Sequence, residues 1–168
     1  MKRIVVATAV LGFALSVQAA AVAWNSGAFG AGFKDPDGKK ITTAMGYTMT
    51  AYFYSDSAGN TLVTSSEATS ANALTGNITA TTSDVFSGET TYYVKAIIAN
   101  DSYTRETELV AFSTPTTGNA SINFTTGAGL SSGSSAWSSG GWQAVPEPTS
   151  GLLLLLGVAG LALKRKKA

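Results

Sequence analysis

The sequence contains no cysteine and no histidine. Without cysteine the chain forms no disulfide, so an exported domain of this sequence is stabilised by its core alone. Without histidine it lacks the commonest general base and the commonest zinc ligand, and without cysteine it lacks a thiolate nucleophile. These absences exclude whole classes of catalytic site, and they predict a protein without a metal or a cofactor.

Charged side chains are also scarce, at 12% of the chain, and they are unevenly distributed. The formal net charge is +1, but residues 20–150 hold five basic side chains against ten acidic ones, a net charge of −5. The remaining basic residues lie at the two ends of the chain. Because nucleic acid is bound by clustered lysine and arginine, an acidic middle region predicts no nucleic-acid partner.

Long hydrophobic runs are missing as well, since none reaches the ~20 residues that span a bilayer as a helix. The run at the amino terminus, residues 4–15, follows Lys2 and Arg3 and precedes small residues around Ala19. This order predicts a secretory signal peptide over residues 1–19, cleaved at Ala19 or at a neighbouring alanine. The short run disfavours a retained anchor. Basic residues at both ends place the region between them outside the cytoplasm, under the positive-inside rule.

A second short apolar run lies near the end of the chain. Pro146, Glu147 and Pro148 keep the backbone extended before it, because a proline disfavours the α region for the preceding residue. Residues 151–163 are apolar throughout, and as a helix these 13 residues extend roughly 20 Å. Four basic residues follow, namely Lys164, Arg165, Lys166 and Lys167. The whole region therefore joins an extended motif, a short apolar helix and a basic tail in that order.

Residues 145–168 resemble a PEP-CTERM sorting signal, and the resemblance does not extend to the rest of the chain. It implies an exported substrate of an exosortase, a transpeptidase-like cysteine enzyme in the membrane of Gram-negative bacteria. That enzyme is implied to cut near Pro146-Glu147-Pro148 and to pass the protein to the cell surface or the exopolysaccharide matrix. We assign recognition to this motif and membrane topology to the basic cluster at 164–167.

Two other interpretations of residues 151–163 stay open. The run can act as a permanent membrane anchor if snorkelling lysines and local bilayer thinning make up for its length. It can also be a buried core helix. A marginal span suits a segment that is later removed, so we expect a transient association with the inner membrane through residues 151–163.

Residues 20–126 carry strand signals at short intervals. Residues 47–54 and 90–99 alternate with the period of a strand, and 90–99 is apolar on both faces, which predicts a central position in its sheet. Residues 23–32 fit a first edge strand or an ordered arm. Further strands are predicted at 61–65, 78–82, 107–113 and 120–126. The fold class is therefore all-β, a single small β-sandwich of jelly-roll or immunoglobulin-like type, flanked by an N-terminal signal helix and a C-terminal hydrophobic helix.

The composition changes to glycine and serine over residues 127–144, with Trp137 and Trp142 interspersed. We interpret this segment as a flexible linker that lets the domain stand off the membrane. Two tryptophans are unusual in a linker. The alternative is that one or both pack on the domain or at the membrane interface.

The acidic residues predict no catalytic site. Residues 34–39 contain an Asp-x-Asp-Gly sequence but lack the further ligands of a calcium loop, so a plain turn is favoured. A carboxylate pair for glycoside hydrolysis is formally available. However, the acids lie in polar turns, and Glu106 and Glu108 beside Arg105 fit charges that protect a sheet edge. We predict that the protein is not an enzyme.

Exposed aromatic rings carry the second functional hypothesis, because sugar faces stack on them. Tyr52 and Tyr54 share one face of a predicted strand, and Tyr93, Trp137 and Trp142 are further candidates. We predict a secreted surface or extracellular-matrix protein with a structural or adhesive role in exopolysaccharide or biofilm. The alternative is a carbohydrate-binding module of that matrix, with polysaccharide as its partner.

Overall fold

The computed structural model of the chain describes residues 19–27, 33–72 and 74–145. These residues form strands and one 3-10 helix, Thr43–Met45, which confirms the all-β prediction. The predicted helices at 1–19 and 151–163 lie outside the described residues, apart from Ala19. The strands are β1 (Ala19–Ala20), β2 (Val22–Asn25), β3 (Thr48–Tyr54), β4 (Leu62–Ala68), β5 (Thr79–Thr81), β6 (Phe86–Ser87), β7 (Thr91–Ala99), β8 (Tyr103–Glu106), β9 (Val110–Ser113), β10 (Ala120–Asn123) and β11 (Gln143–Ala144).

The largest sheet is antiparallel and has the strand order β11-β8-β7-β3-β4, with β9 also paired to β7. Burial alternates along β3 and β7, so each strand turns one face to the core. This alternation follows from the two-residue period of side chains along a strand. β7 pairs with strands on both sides, which confirms the central position predicted for residues 90–99.

The second sheet has the order β10-β2-β5, and β10 runs parallel to β2. The prediction of an edge strand or arm covers residues 23–32, of which 28–32 lie outside the described residues. The structure corrects it for the described part, because β2 is the central strand of this sheet. Val22 and Trp24 are both buried, and a strand that buries large side chains is stabilised by partners on both edges. A third pairing joins β1 to β6, with Ala19 opposite Ser87.

One hydrophobic core joins the sheets. Phe53 of β3 meets Phe86 of β6 edge to face at 5.3 Å, and Trp24 meets Phe124 in the same way at 6.3 Å. Each large apolar side chain that is fully buried contributes about 1.5–3 kcal/mol. Aromatic contacts within and between sheets therefore help to hold the domain together, in a chain that has no cysteine.

The prediction of one strand over 107–113 is wrong in its detail. The backbone forms β8 and then β9, and both pair with successive stretches of β7. Between them, Thr107 is buried; its Oγ1 accepts the Ala96 N–H at 2.8 Å, and its backbone bridges to Trp137. A side chain that binds the neighbouring backbone interrupts the regular ladder, and this interruption is not visible in the apolar pattern.

Residues 127–144 pack on the domain, which corrects the prediction of a flexible linker. Leu130, Ala136 and Trp137 are buried in the core, and β11 is a strand of the large sheet. The glycines allow close backbone approach: Gly129 has φ 80°, and a Cβ there would run into the Ser121 carbonyl oxygen. The segment is thus irregular because it follows a crowded surface, and only glycine fits at such a point.

Candidate functional site: the C-terminal segment and the outer tyrosine face

The C-terminal segment is attached to the domain up to the residue before the Pro-Glu-Pro motif. Trp137 is 9% exposed and stacks on Phe33 at 4.7 Å, and its Nε1 donates to the Ser26 carbonyl oxygen at 3.1 Å. Trp142 is half-buried, and its Nε1 donates to the Lys34 carbonyl oxygen at 3.1 Å. Both tryptophans therefore pack on the domain, in agreement with the alternative to the linker prediction.

The last described residues complete this attachment. Gln143 and Ala144 form β11 opposite Thr104 and Tyr103, and the Val145 N–H donates to the Ser102 carbonyl oxygen at 2.9 Å. Backbone hydrogen bonds thus extend to the residue that precedes Pro146. The sorting motif begins directly at a sheet edge.

Two ionisable groups beside this segment have shifted pKa values. The Arg105 guanidinium lies 5.2 Å from the Trp137 ring centre and 5.9 Å from that of Phe33, and burial lowers the pKa of Arg105. Burial also raises the pKa of Tyr47, and the nearby Asp35 adds to the effect. An arginine beside stacked aromatic rings is held there by cation–π attraction, so this arrangement has a structural explanation.

The topology brings several loops to the end of the domain where the chain leaves it. β11 runs antiparallel to β8, so it ends where β8 begins, next to the turn at 100–102. β3 begins and β4 ends at this same end, because Met49 pairs with Ala68 and Thr48 pairs with Ala99. We call this the exit end: the loops at 34–47, 69–78 and 100–102 together with Trp142. The opposite end, with the loops at 55–61, 82–90 and 114–119, is the far end.

The predicted sorting residues lie outside the described residues. This holds for Pro146, Glu147 and Pro148 and for the basic cluster Lys164, Arg165, Lys166 and Lys167. Ala19, the predicted signal cleavage site, begins β1, and the following Ala20 and Ala21 are buried. Cleavage at Ala19 stays a prediction.

The predicted aromatic candidates do not form one platform. Trp137 is buried, which removes it as a sugar-stacking residue, and Trp142 packs against Tyr47 at the exit end. Tyr52 and Tyr54 lie on the outer face of β3 and are half-buried. Tyr93 of β7 is the register partner of Tyr54 and lies on the same face.

We call Tyr52, Tyr54 and Tyr93 the outer tyrosine face. Lys95 is opposite Tyr52, and its Nζ lies 2.8 Å from Glu106 Oε2, so the charge beside the tyrosines is paired. Leu62 of β4 is opposite Tyr54 and is exposed. The sequence pattern alone did not single out Leu62, and only the register of the hairpin between β3 and β4 identifies it. The face is aromatic and half-exposed, and its charged residues are the paired Lys95 and Glu106 together with Glu67, opposite Thr50.

Residues 34–39 form a turn, as their composition predicted. The Asp35 N–H donates to the Lys39 carbonyl oxygen at 2.9 Å, and Asp35 Oδ1 accepts the Lys39 N–H at 2.7 Å. Gly38 supplies the positive φ that the turn needs. Among residues 19–27, 33–72 and 74–145, no group of three or more acidic side chains is arranged to hold a metal ion. Within the same residues no helix is long and apolar enough to cross a membrane.

Comparison with known proteins gives one match. Residues 144–166 match the family model of the PEP-CTERM protein-sorting motif, which confirms the resemblance at the C-terminus. No curated protein and no solved structure matches the chain. The motif implies an exported protein that is targeted to an exosortase, and it names the exosortase as the processing partner. The match begins at Ala144, so it overlaps the end of β11.

Proposed function

We propose that the protein is a non-enzymatic component of the cell surface or extracellular matrix, which an exosortase cleaves near Pro146-Glu147-Pro148. The PEP-CTERM match at residues 144–166 is the observation that carries this proposal. Residues 151–163 hold the precursor in the inner membrane until cleavage, and the basic cluster at 164–167 keeps its end in the cytoplasm. The folded domain is the part that is delivered.

The role of the delivered domain is structural or adhesive, in exopolysaccharide or biofilm. Its side chains supply no histidine or cysteine for catalysis. Among the described residues no three acidic side chains form a group that could hold a metal ion, and Glu106 pairs with Lys95. A domain of this kind acts through a stable, exposed surface and not through catalysis. We also infer that its two main sheets form a sandwich of the jelly-roll or immunoglobulin-like type, because one core buries a single face of β3 and of β7.

The sorting proposal is tested by the double substitution Pro146→Ala/Glu147→Ala. We expect an unprocessed precursor that stays in the membrane fraction, because the enzyme has lost its recognition motif. The matched control is Pro115→Ala/Glu108→Ala, which changes the same residue types at exposed positions of the domain. The control is expected to be processed normally. Normal release of the Pro146→Ala/Glu147→Ala variant would contradict the proposal.

A carbohydrate-binding module is the second candidate, and the outer tyrosine face is the observation that favours it. Tyr54 and Tyr93 are register partners and Tyr52 is two residues along the same strand, so three rings border one surface. The paired charge of Lys95 and Glu106 suits a neutral sugar better than a polyanion.

Titration of the exported protein with its host's exopolysaccharide tests this candidate. We expect Tyr52→Ala/Tyr54→Ala/Tyr93→Ala to weaken binding at least about tenfold, or ~1.4 kcal/mol, while Trp142→Ala leaves it unchanged. Equal affinity of the triple variant and the parent protein would exclude the outer tyrosine face. Circular dichroism checks that the triple variant keeps its fold.

A further inference from the structure

The last residue attached to the folded domain is close in sequence to the apolar run that holds the precursor in the membrane. Val145 is hydrogen-bonded to Ser102 at the exit end, and only residues 146–150 separate it from the apolar run 151–163. Fully extended, the six Cα–Cα steps from Val145 to Gly151 span at most about 22 Å. A precursor held by residues 151–163 therefore keeps its exit end within that distance of the bilayer.

The exit end carries side chains suited to a lipid surface. Leu74 is 83% exposed, and the Lys40 Nζ donates to the carbonyl oxygen of Leu74 at 2.6 Å. Lys34 and Lys39 are also exposed, in the turn to which Trp142 is hydrogen-bonded. An exposed leucine gains free energy by leaving water, and lysines lay their apolar stems along a surface while keeping the charge at the headgroups.

The distribution of charge also orients the domain. At the exit end three lysines balance the three acids Asp35, Asp37 and Asp101. At the far end Asp56, Asp84 and Glu89 have no basic residue in the same loops. An anionic bilayer consequently repels the acidic far end but does not repel the exit end, whose charges balance.

We propose that the exit end of the folded domain docks on the anionic bilayer surface while the precursor awaits cleavage, with Leu74 inserted at the headgroup level and Lys34 and Lys39 at the phosphates. This inference rests on the membrane-held precursor of the proposed function. It adds a defined orientation, in which the loops of the exit end face the membrane and the far end points away. The exosortase then meets its motif between a docked domain and the bilayer.

The absence of native cysteine allows a direct test. Leu74→Cys in the full chain is labelled with an environment-sensitive fluorophore and reconstituted into vesicles of phosphatidylethanolamine and phosphatidylglycerol that contain a headgroup-spin-labelled lipid. Ala58→Cys, exposed at the far end, is the matched control. We expect blue-shifted, quenched emission at position 74 and none at position 58. A Lys34→Gln/Lys39→Gln background is expected to reduce the quenching at position 74 at least about twofold, because part of the electrostatic attraction is lost.

Flotation of the same vesicles separates the two claims. Chains that float but show equal, unquenched emission at positions 74 and 58 would overturn the docking proposal and leave membrane retention intact. Chains that do not float would contradict the membrane-held precursor itself. Undiminished quenching in the Lys34→Gln/Lys39→Gln background would overturn the role of the lysines.

Discussion

Trp137 is the residue whose structural role differs most from its sequence context. It lies in a glycine- and serine-rich stretch, yet its ring is buried against Phe33 and beside the Arg105 guanidinium. We expect Trp137→Ala to lower the free energy of unfolding by about 3–5 kcal/mol, as for other buried tryptophans. Trp142→Ala, at a half-buried ring, is expected to cost clearly less. Urea unfolding measures the free energy of unfolding of both variants. An unchanged value for Trp137→Ala would contradict the packed position of this segment and support a flexible linker.

Asp56, at the far end, makes the stability of the domain depend on pH in the acidic range. Its carboxylate accepts the backbone N–H groups of Asn60, Thr61 and Ala58, and the bond from Asn60 is the largest cause of its lowered pKa. A lowered folded pKa adds stability above the unfolded value of about 3.9, and this contribution is lost as the pH falls through the folded pKa.

We therefore expect Asp56→Asn to lower stability at pH 7 and to flatten the loss of stability below about pH 4. An asparagine keeps one acceptor but places an N–H₂ group against the Thr61 N–H. Asp84→Asn, at an exposed residue of the same end, is the control and is expected to behave like the parent. Unfolding curves from pH 2 to 7 check both. Identical pH profiles for Asp56→Asn and the parent would contradict the prediction.

Residue roles were predictable from the sequence where the strand period decides them. Tyr52 and Tyr54 share one face of β3, as the alternation of residues 47–54 predicted. The burial of Trp137 was not predictable, because its partners Phe33 and Arg105 are distant in sequence and its own neighbours have no period. Tertiary contacts of this kind leave no local signal.

At the scale of elements, the glycines of residues 127–133 distinguish a packed segment from a linker. Gly129 has φ 80° and its missing Cβ faces the Ser121 carbonyl oxygen, whereas Gly133 has φ 60° with open space around it. We expect Gly129→Ala to destabilise by more than about 2 kcal/mol, since backbone strain of about 1–3 kcal/mol adds to the clash. Gly133→Ala is expected to cost only the left-handed conformation, about 1–2 kcal/mol. In a flexible linker both substitutions would be neutral in thermal unfolding.

Elements with a clear period were the most predictable. The long strands β3 and β7 fall within one residue of the predicted 47–54 and 90–99. The separation of β8 from β9 was missed because Thr107 turns its hydroxyl to the Ala96 N–H, a contact that depends on sheet register. The two-residue strand β11 was missed because so short an element carries no pattern of its own.

At the scale of the whole molecule, the C-terminal sorting region is closer to the folded domain than the sequence predicted. The sequence predicted a domain on a long tether. Instead the packing of residues 127–145 leaves only residues 146–150 between the sheet edge and the apolar run. Inserting twelve glycine and serine residues after Val145 should therefore reduce the contact between the exit end and the bilayer without preventing cleavage, as measured by the quenching at position 74 and by release of the domain. Loss of cleavage on insertion would show that the enzyme requires the docked domain.

The most direct test of exosortase sorting is the intact mass of the mature protein, taken from surface and medium fractions of its native host. We expect a mass that lacks the signal peptide and everything beyond the Pro-Glu-Pro region, and that retains the packed segment through Val145. A mass that still includes residues 151–168 would contradict it, because the C-terminal segment would then be a permanent anchor and not a sorting signal.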